Sequence, residues 1–247
     1  MKVDVTLRQV ASAAELFDAL GALREDVKRT GRYPILDIEC HGLADLSGIA
    51  LRDGSTTSWD HLKPHFQAIN FASRFNLFLI LACCNGGYFG QAERLHEQAA
   101  FLAYLGPNTD VDNRELSNAL KAFFTALFGA RDATVAINAL SAAEPGFPFV
   151  YSTAEGIFRL AGEGYLRHVS ERGRREHARD LVNKLRSQGN PGVPSINEMV
   201  RRVYAIERTR FAEFRHNYFA LHAFPENGER FPVTYWDLWR GAAKRRR

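Results

Sequence analysis

Along the front of the chain, apolar residues recur with period two in some stretches and with helical period in others, and the two patterns take turns. Residues 3–10, VDVTLRQV, alternate and predict a first strand. Residues 12–29 then place Leu16, Leu20, Leu23 and Val27 at helical spacing, with Ser12 and Glu15 in the relation of a capping box. A second strand, YPILDIEC, breaks at His41-Gly42. Residues 48–59, GIALRDGSTTSW, predict a small hairpin, because Asp53-Gly54 is a strong turn signal between strand-like arms. A helix follows over residues 59–75, with Pro64 near its first turn, where a missing N–H costs little. Residues 76–83 are almost continuously apolar, which suits a central parallel strand covered on both faces. EQAAFLAYLGP predicts a fourth strand stopped by Gly106-Pro107. Residues 112–129 form the clearest helix, capped near Asp112 and ended by Gly129, and FPFVYST predicts one more strand.

Strand signals fade after about Glu155, and the Arg-rich remainder reads as helical, interrupted by SQGNPGVPS at residues 187–195. Alternating strands and helices imply an α/β front domain with a mostly parallel sheet over residues 1–158, followed by a basic, mainly helical extension over 159–247. Length and a 46% apolar content allow a substantial core without covalent staples. No apolar run approaches the ~18 residues of a membrane span, and the N-terminus carries no signal-peptide block. A soluble, cytoplasmic protein with no membrane partner is therefore expected. Three cysteines, two of them adjacent, make a poor disulfide framework, so reduced thiols are expected.

Charge divides the chain as sharply as periodicity does. Residues 1–158 hold 13 Lys and Arg against 18 Asp and Glu, while residues 159–247 hold 19 against 10. The rear segments ERGRREHARDLVNKLR and VRRVYAIERTRFAEFRHNYF mix Arg with aromatic residues, as nucleic-acid-binding surfaces do. They also carry Glu at helical spacing and an apolar stripe that includes Val200, Val203 and Ile206, which favours a solvated helix packing against the front domain.

Two strands of the front domain end in residues suited to thiol chemistry. The second ends IECHG and the third LACCNGG, so His41 and the pair Cys83-Cys84 stand at the carboxyl edges where α/β sheets gather chemistry. One crossover helix fits between them. A histidine within reach of a thiol can take its proton or stabilise the thiolate. The glycines that follow allow close approach, and the amides of Gly42 and Cys84 are candidate oxyanion donors. Against this stands the ordinary role of a free cysteine as a small buried residue, which is the expectation for Cys83 and Cys40. Glu39 shares a strand face with Asp37 and His41, where it would orient His41, shape a specificity pocket or simply meet solvent. A zinc site from Cys40, His41, Cys83 and Cys84 is disfavoured, because adjacent residues on extended strands point to opposite faces. The remaining histidines, such as His61, His65 and His96, lie in helix-like segments and suit packing or surface roles.

PILDIECHG and NLFLILACCNGG, in that order and separation, resemble the caspase-like cysteine peptidases: caspases, metacaspases, legumain, separase and the bacterial CHAT proteases. The segment from Ala99 that runs through residues 112–129 is similar to the strand and helix that follow the nucleophile in bacterial members, so the resemblance spans residues 2–143. It implies a three-layer αβα sandwich and a cysteine endopeptidase acting on a protein substrate, without cofactor or metal. His41 falls on the family's catalytic histidine and Cys84 on its nucleophile, because Asn85-Gly86 follows Cys84 as the motif requires; Cys83 takes the small-residue position. The aspartate by which metacaspases recognise basic side chains is replaced by Ala82, so that preference does not carry over. Bacterial members further imply control by a regulatory partner or by proteolysis, in stress or antiviral defence. The alternative is an inactive caspase-like scaffold whose basic extension binds nucleic acid or a protein.

Overall fold

The apolar run that ends in the two cysteines is the centre of the main sheet. In a computed structural model that describes residues 4–146, 148–168 and 171–244, strand β5 (Phe78–Ala82) lies between β1 (Ile35–Glu39) and β6 (Ala103–Pro107), and both pair with it in parallel. Strand β7 (Phe149–Thr153) adds antiparallel to β6, giving the order β1-β5-β6-β7. Val3 at the head of the expected first strand, Phe147 of FPFVYST and the last three arginines lie outside the described residues.

The register assigns the two faces of this sheet. Ile80 pairs with Asp37 on one side and Leu105 on the other, and Ile80, Ala82 and Leu105 pack with Leu116, Ala119, Leu120 and Phe123 of helix α3 (Asn113–Ala130) and with Ala136 and Leu140 of α4 (Ala133–Ala143). Residues one step along, Leu79 and Tyr104, point to the opposite face because side chains alternate along a strand. There Tyr104 meets Phe89, which meets Trp59 and Phe66 of helix α2 (Trp59–Ala72). Helix α2 in turn packs on α1 (Ala13–Thr30), where His65 stacks on Phe17 at 4.6 Å, so this histidine has a packing role. The front of the chain is therefore layered helix, sheet, helix, with a mostly parallel sheet in the middle.

Local sequence signals account for most of these elements. The Ser12 hydroxyl accepts the Glu15 N–H at 3.2 Å, while the Glu15 carboxylate accepts the Ala11 N–H at 2.7 Å, one residue short of the reciprocal bond of a capping box. Asp112 caps α3 by accepting the Arg114 and Glu115 N–H groups. Asp53-Gly54 turns the hairpin of β3 (Gly48–Ala50) and β4 (Thr56–Ser58) as expected, with Gly54 at φ 86°. A further short strand, β2 (His41–Gly42), pairs antiparallel with β3, so His41 leaves the main sheet and joins a small three-stranded one.

Three expectations are corrected. Residues 4–10 form no strand, and Val5 and Leu7 are 83% and 86% exposed, because nothing covers an apolar face there. Helix α3 runs past Gly129 to Ala130 and ends on Arg131 in the left-handed region at φ 55°. Helix α4 follows at once from an Asp132 cap, an element the sequence pattern did not distinguish.

The chain forms two compact units, Met1–Glu93 with Ala99–Ala154, and Arg94–Gln98 with Glu155–Arg247. The second is helical: α5 (Ala154–His168), α6 (Glu171–Ser187), α7 (Ile196–Tyr218), α8 (Asn227–Arg230) and α9 (Tyr235–Lys244). The Gly/Pro-rich stretch does separate α6 from α7, and Ser195 caps α7 through the Glu198 N–H. The stripe residues Val200 and Val203 pack with Ala178 and Val182 of α6, whereas Ile206 is 55% exposed. Among the described residues, no helix is long and apolar enough to cross a membrane.

Candidate active site

Strands β1 and β5 end side by side, Glu39 opposite Ala82, and this register delivers the residues that follow each strand to one edge. His41 follows from β1 and Cys84 from β5. Their backbones touch: a Cβ added at Gly42 would collide with the Cys84 carbonyl oxygen and lie 3.2 Å from the Cys84 Cβ. Only glycine fits at 42. The turn after Cys84 is equally tight. Asn85 adopts φ 61°, a Cβ at Gly86 would collide with the Leu81 carbonyl oxygen, and the Asn85 side chain donates to Asp110 at 3.1 Å. The two glycines singled out by sequence are thus sterically required where the histidine and thiol segments meet.

His41 and Cys84 line one cavity of about 290 Å³, together with Cys40, Ala82, Cys83, Val111, Asp112, Asn113 and Leu116. His41 is exposed and Cys84 half-buried, so the cavity is accessible. Among the described residues, no hydrogen bond joins the imidazole to the thiol. In this turn the Asn85 N–H is engaged by the Thr109 carbonyl at 3.0 Å and the Gly86 N–H by the Cys83 carbonyl at 3.1 Å, so neither is open to a ligand.

A larger cavity of about 610 Å³ shares His41, Cys40, Ala82, Asn113 and Leu116 with the first. On its strand side stand Asp37 and Glu39, on its helix side Ser117, Leu120, Lys121 and Phe124. Asp37 Oδ1 is buried without a hydrogen-bond partner. Burial, reinforced by the neighbouring charge of Glu39, pushes the Asp37 carboxyl up to about 7. Glu39, expected to orient His41, to shape a pocket or simply to meet solvent, is exposed and stands on the wall of this second cavity, next to Asp37.

Cys83 behaves differently from Cys84. It is 1% exposed, and its thiol is held far above the usual range, first by a hydrogen bond with the Cys40 side chain and then by burial. At rest Cys83 is therefore a protonated thiol, as its burial favours. No three His, Cys, Asp or Glu side chains among the described residues converge as a metal would require.

The sequence pointed to His41, Gly42, Cys84 and Glu39, and all four line or abut these two cavities. It missed the contribution of α3. Asn113, Leu116, Ser117, Leu120, Lys121 and Phe124 recur at three- and four-residue spacing, which is one face of a helix. The signal was present, but nothing in the chain alone said that this face would meet the strand ends. Set beside known protein families, curated proteins and solved structures, the chain matches none.

Proposed function

We propose that the front unit is a cysteine endopeptidase of the caspase-like type, with His41 and Cys84 as its dyad. The observation that carries this is the contact of Gly42 with the Cys84 backbone, because it brings the histidine and the thiol to one accessible cavity. In the mechanism, His41 accepts the thiol proton as Cys84 Sγ attacks the scissile carbonyl carbon. The N–H groups of Gly42 and Cys84 donate to the resulting oxyanion. His41 then protonates the departing amine, and water, activated by the same imidazole, releases the acyl group from Cys84. The absence of an imidazole–thiol hydrogen bond is compatible with this, because such bonds commonly tighten only around substrate.

The adjoining cavity would receive a substrate side chain, with Asp37 and Glu39 on its wall and the apolar Leu116, Leu120 and Phe124 opposite. Control by a partner protein or by proteolysis, in bacterial stress or defence, belongs to the same proposal and rests on family resemblance alone.

Profiling a peptide library tests it. The wild type is expected to cleave a defined subset of peptides, and Cys84→Ala none. Glu39→Gln is expected to change which peptides are chosen while Cys84 still labels with an iodoacetamide probe. Equal cleavage by wild type and Cys84→Ala would overturn the dyad. Salt-sensitive retention on RNA or DNA that is lost on truncation after residue 158, with no cleavage by the full chain, would instead support a scaffold whose basic extension binds nucleic acid.

A further inference from the structure

All three cysteines of the chain line the cavity that also holds His41, although they come from two strands far apart in sequence. They are not equivalent. The β1–β5 register ends at Glu39 opposite Ala82, so Cys40 and Cys83 are the first residues to leave the two paired strands at the same edge, followed by His41 and Cys84. The Cys40 side chain lies close enough to the Cys83 thiol to push it up. Paired parallel strands lie ~4.8 Å apart, inside the ~4.4–6.8 Å between Cα atoms that a disulfide spans. Cys83 is buried, with Gly86 closing one flank of its sulfur, whereas Cys40 is half-buried and lines both cavities.

We propose that Cys40 and Cys83 are a reversible oxidative modification site, forming a disulfide when a hydroperoxide enters the cavity, and that Cys84 is left as a thiol. Cys40 is the point of entry because it is the more accessible of the two. Its thiolate sulfur attacks the peroxide, the O–O bond breaks, and Cys40 becomes a sulfenic acid while the alcohol, or water, departs. The Cys83 sulfur then attacks the Cys40 sulfur and the S–O bond breaks. The leaving hydroxide takes up the Cys83 proton as water. Two thiols and one hydroperoxide thus give one disulfide, one alcohol or water, and one further water. A bond between Cys83 and its chain neighbour Cys84 is disfavoured, since Cα atoms across a trans peptide lie ~3.8 Å apart, short of the ~4.4–6.8 Å that a disulfide spans.

The site does not depend on the peptidase proposal, because neither sulfur is the proposed nucleophile. Its consequence for that proposal is positional. Cys40 immediately precedes His41 and Cys83 immediately precedes Cys84, so the bond would tie together the two backbones that carry the dyad.

The test treats the reduced full-length protein with a slight molar excess of hydrogen peroxide, alkylates the remaining thiols with iodoacetamide and maps the peptides without reduction. The expected product has lost two hydrogens, contains a cross-linked peptide joining Cys40 to Cys83, and carries the alkyl group on Cys84. Dithiothreitol should restore three alkylatable thiols. Cys40→Ser should abolish the cross-link, and Cys84→Ser should retain it, which keeps the test valid if either variant folds poorly. A cross-link through Cys84, or sulfinic acid on Cys40 or Cys84 in place of any cross-link, would overturn the assignment, whatever the outcome of the peptide-library experiment.

Discussion

Two buried groups, Asp37 in the front unit and Glu207 in the rear, are treated in opposite ways. In the front unit, Asp37 Oδ1 is buried beside a cavity with no partner, next to a second carboxylate. In the rear unit, Arg174 of α6 and Glu207 of α7 are buried at 3% and 8% side-chain exposure but meet directly, with Arg174 Nε 2.9 Å from both carboxylate oxygens. Tyr235 of α9 adds a hydroxyl donor to Glu207 at 3.0 Å, and the guanidinium lies over the Tyr204 ring. Buried charge that meets an opposite charge directly holds helices in place; buried charge left facing a cavity costs stability that a bound group could offset. The contrast marks the front unit as the place to look for chemistry, although the rear unit carries the greater excess of charge.

The sharpest way to break this comparison is to remove the proposed chemistry. Cys84→Ala should abolish peptide cleavage, and His41→Ala should lower kcat/KM by about 10²–10⁴-fold, with thermal unfolding close to wild type in both. A collapse of stability in either variant would place these residues in the rear unit's class of structural groups.

The next largest effect is expected in the rear unit. Arg174→Met strands Glu207 in a buried position and should cost about 3–5 kcal/mol, read as a shift in urea unfolding. The double variant Arg174→Met with Glu207→Leu should recover most of it. If the single variant is neutral, the pair is not the internal brace that its burial implies.

A smaller, pH-dependent effect belongs to Asp37. Its carboxyl sits at about 7 in the folded protein against an ordinary 3.8, so the folded state holds the proton more tightly than the unfolded chain. That contribution is fully present below about pH 4 and is lost as pH rises to about 7, on the order of a few kcal/mol. Unfolding at pH 5 and pH 8 should show this slope in the wild type, and Asp37→Asn should flatten it. The smallest effect is expected at the exposed pair of Glu198 and Arg202, four residues apart on α7, where Arg202→Ala should change stability by no more than about 0.5 kcal/mol.

Much of this molecule is legible in the chain because the signals are local. Ser12, Asp112 and Ser195 each start a helix through a side-chain oxygen, Asp53-Gly54 turns a hairpin, and the continuous apolar run of β5 requires cover on both faces. His41-Gly42 and Cys84-Asn85-Gly86 were visible as well, since glycine beside a reactive residue at a strand end is a sequence feature. Periodicity misled where it was not backed by cover: residues 4–10 alternate, yet no neighbouring strand or helix buries Val5 and Leu7.

What the chain could not supply was register. That Glu39 lies opposite Ala82 depends on how β1 slides against β5, and a slip of one residue would turn every side chain to the other face. The sequence determined the elements and supplied a histidine, three thiols and two strand acids. Only the tertiary packing decided that Gly42 would press on Cys84, that Cys83 would find Cys40, and that one face of α3 would close the cavities around them. Local patterns specify how a backbone folds, but the contacts that join distant segments follow from packing the whole core.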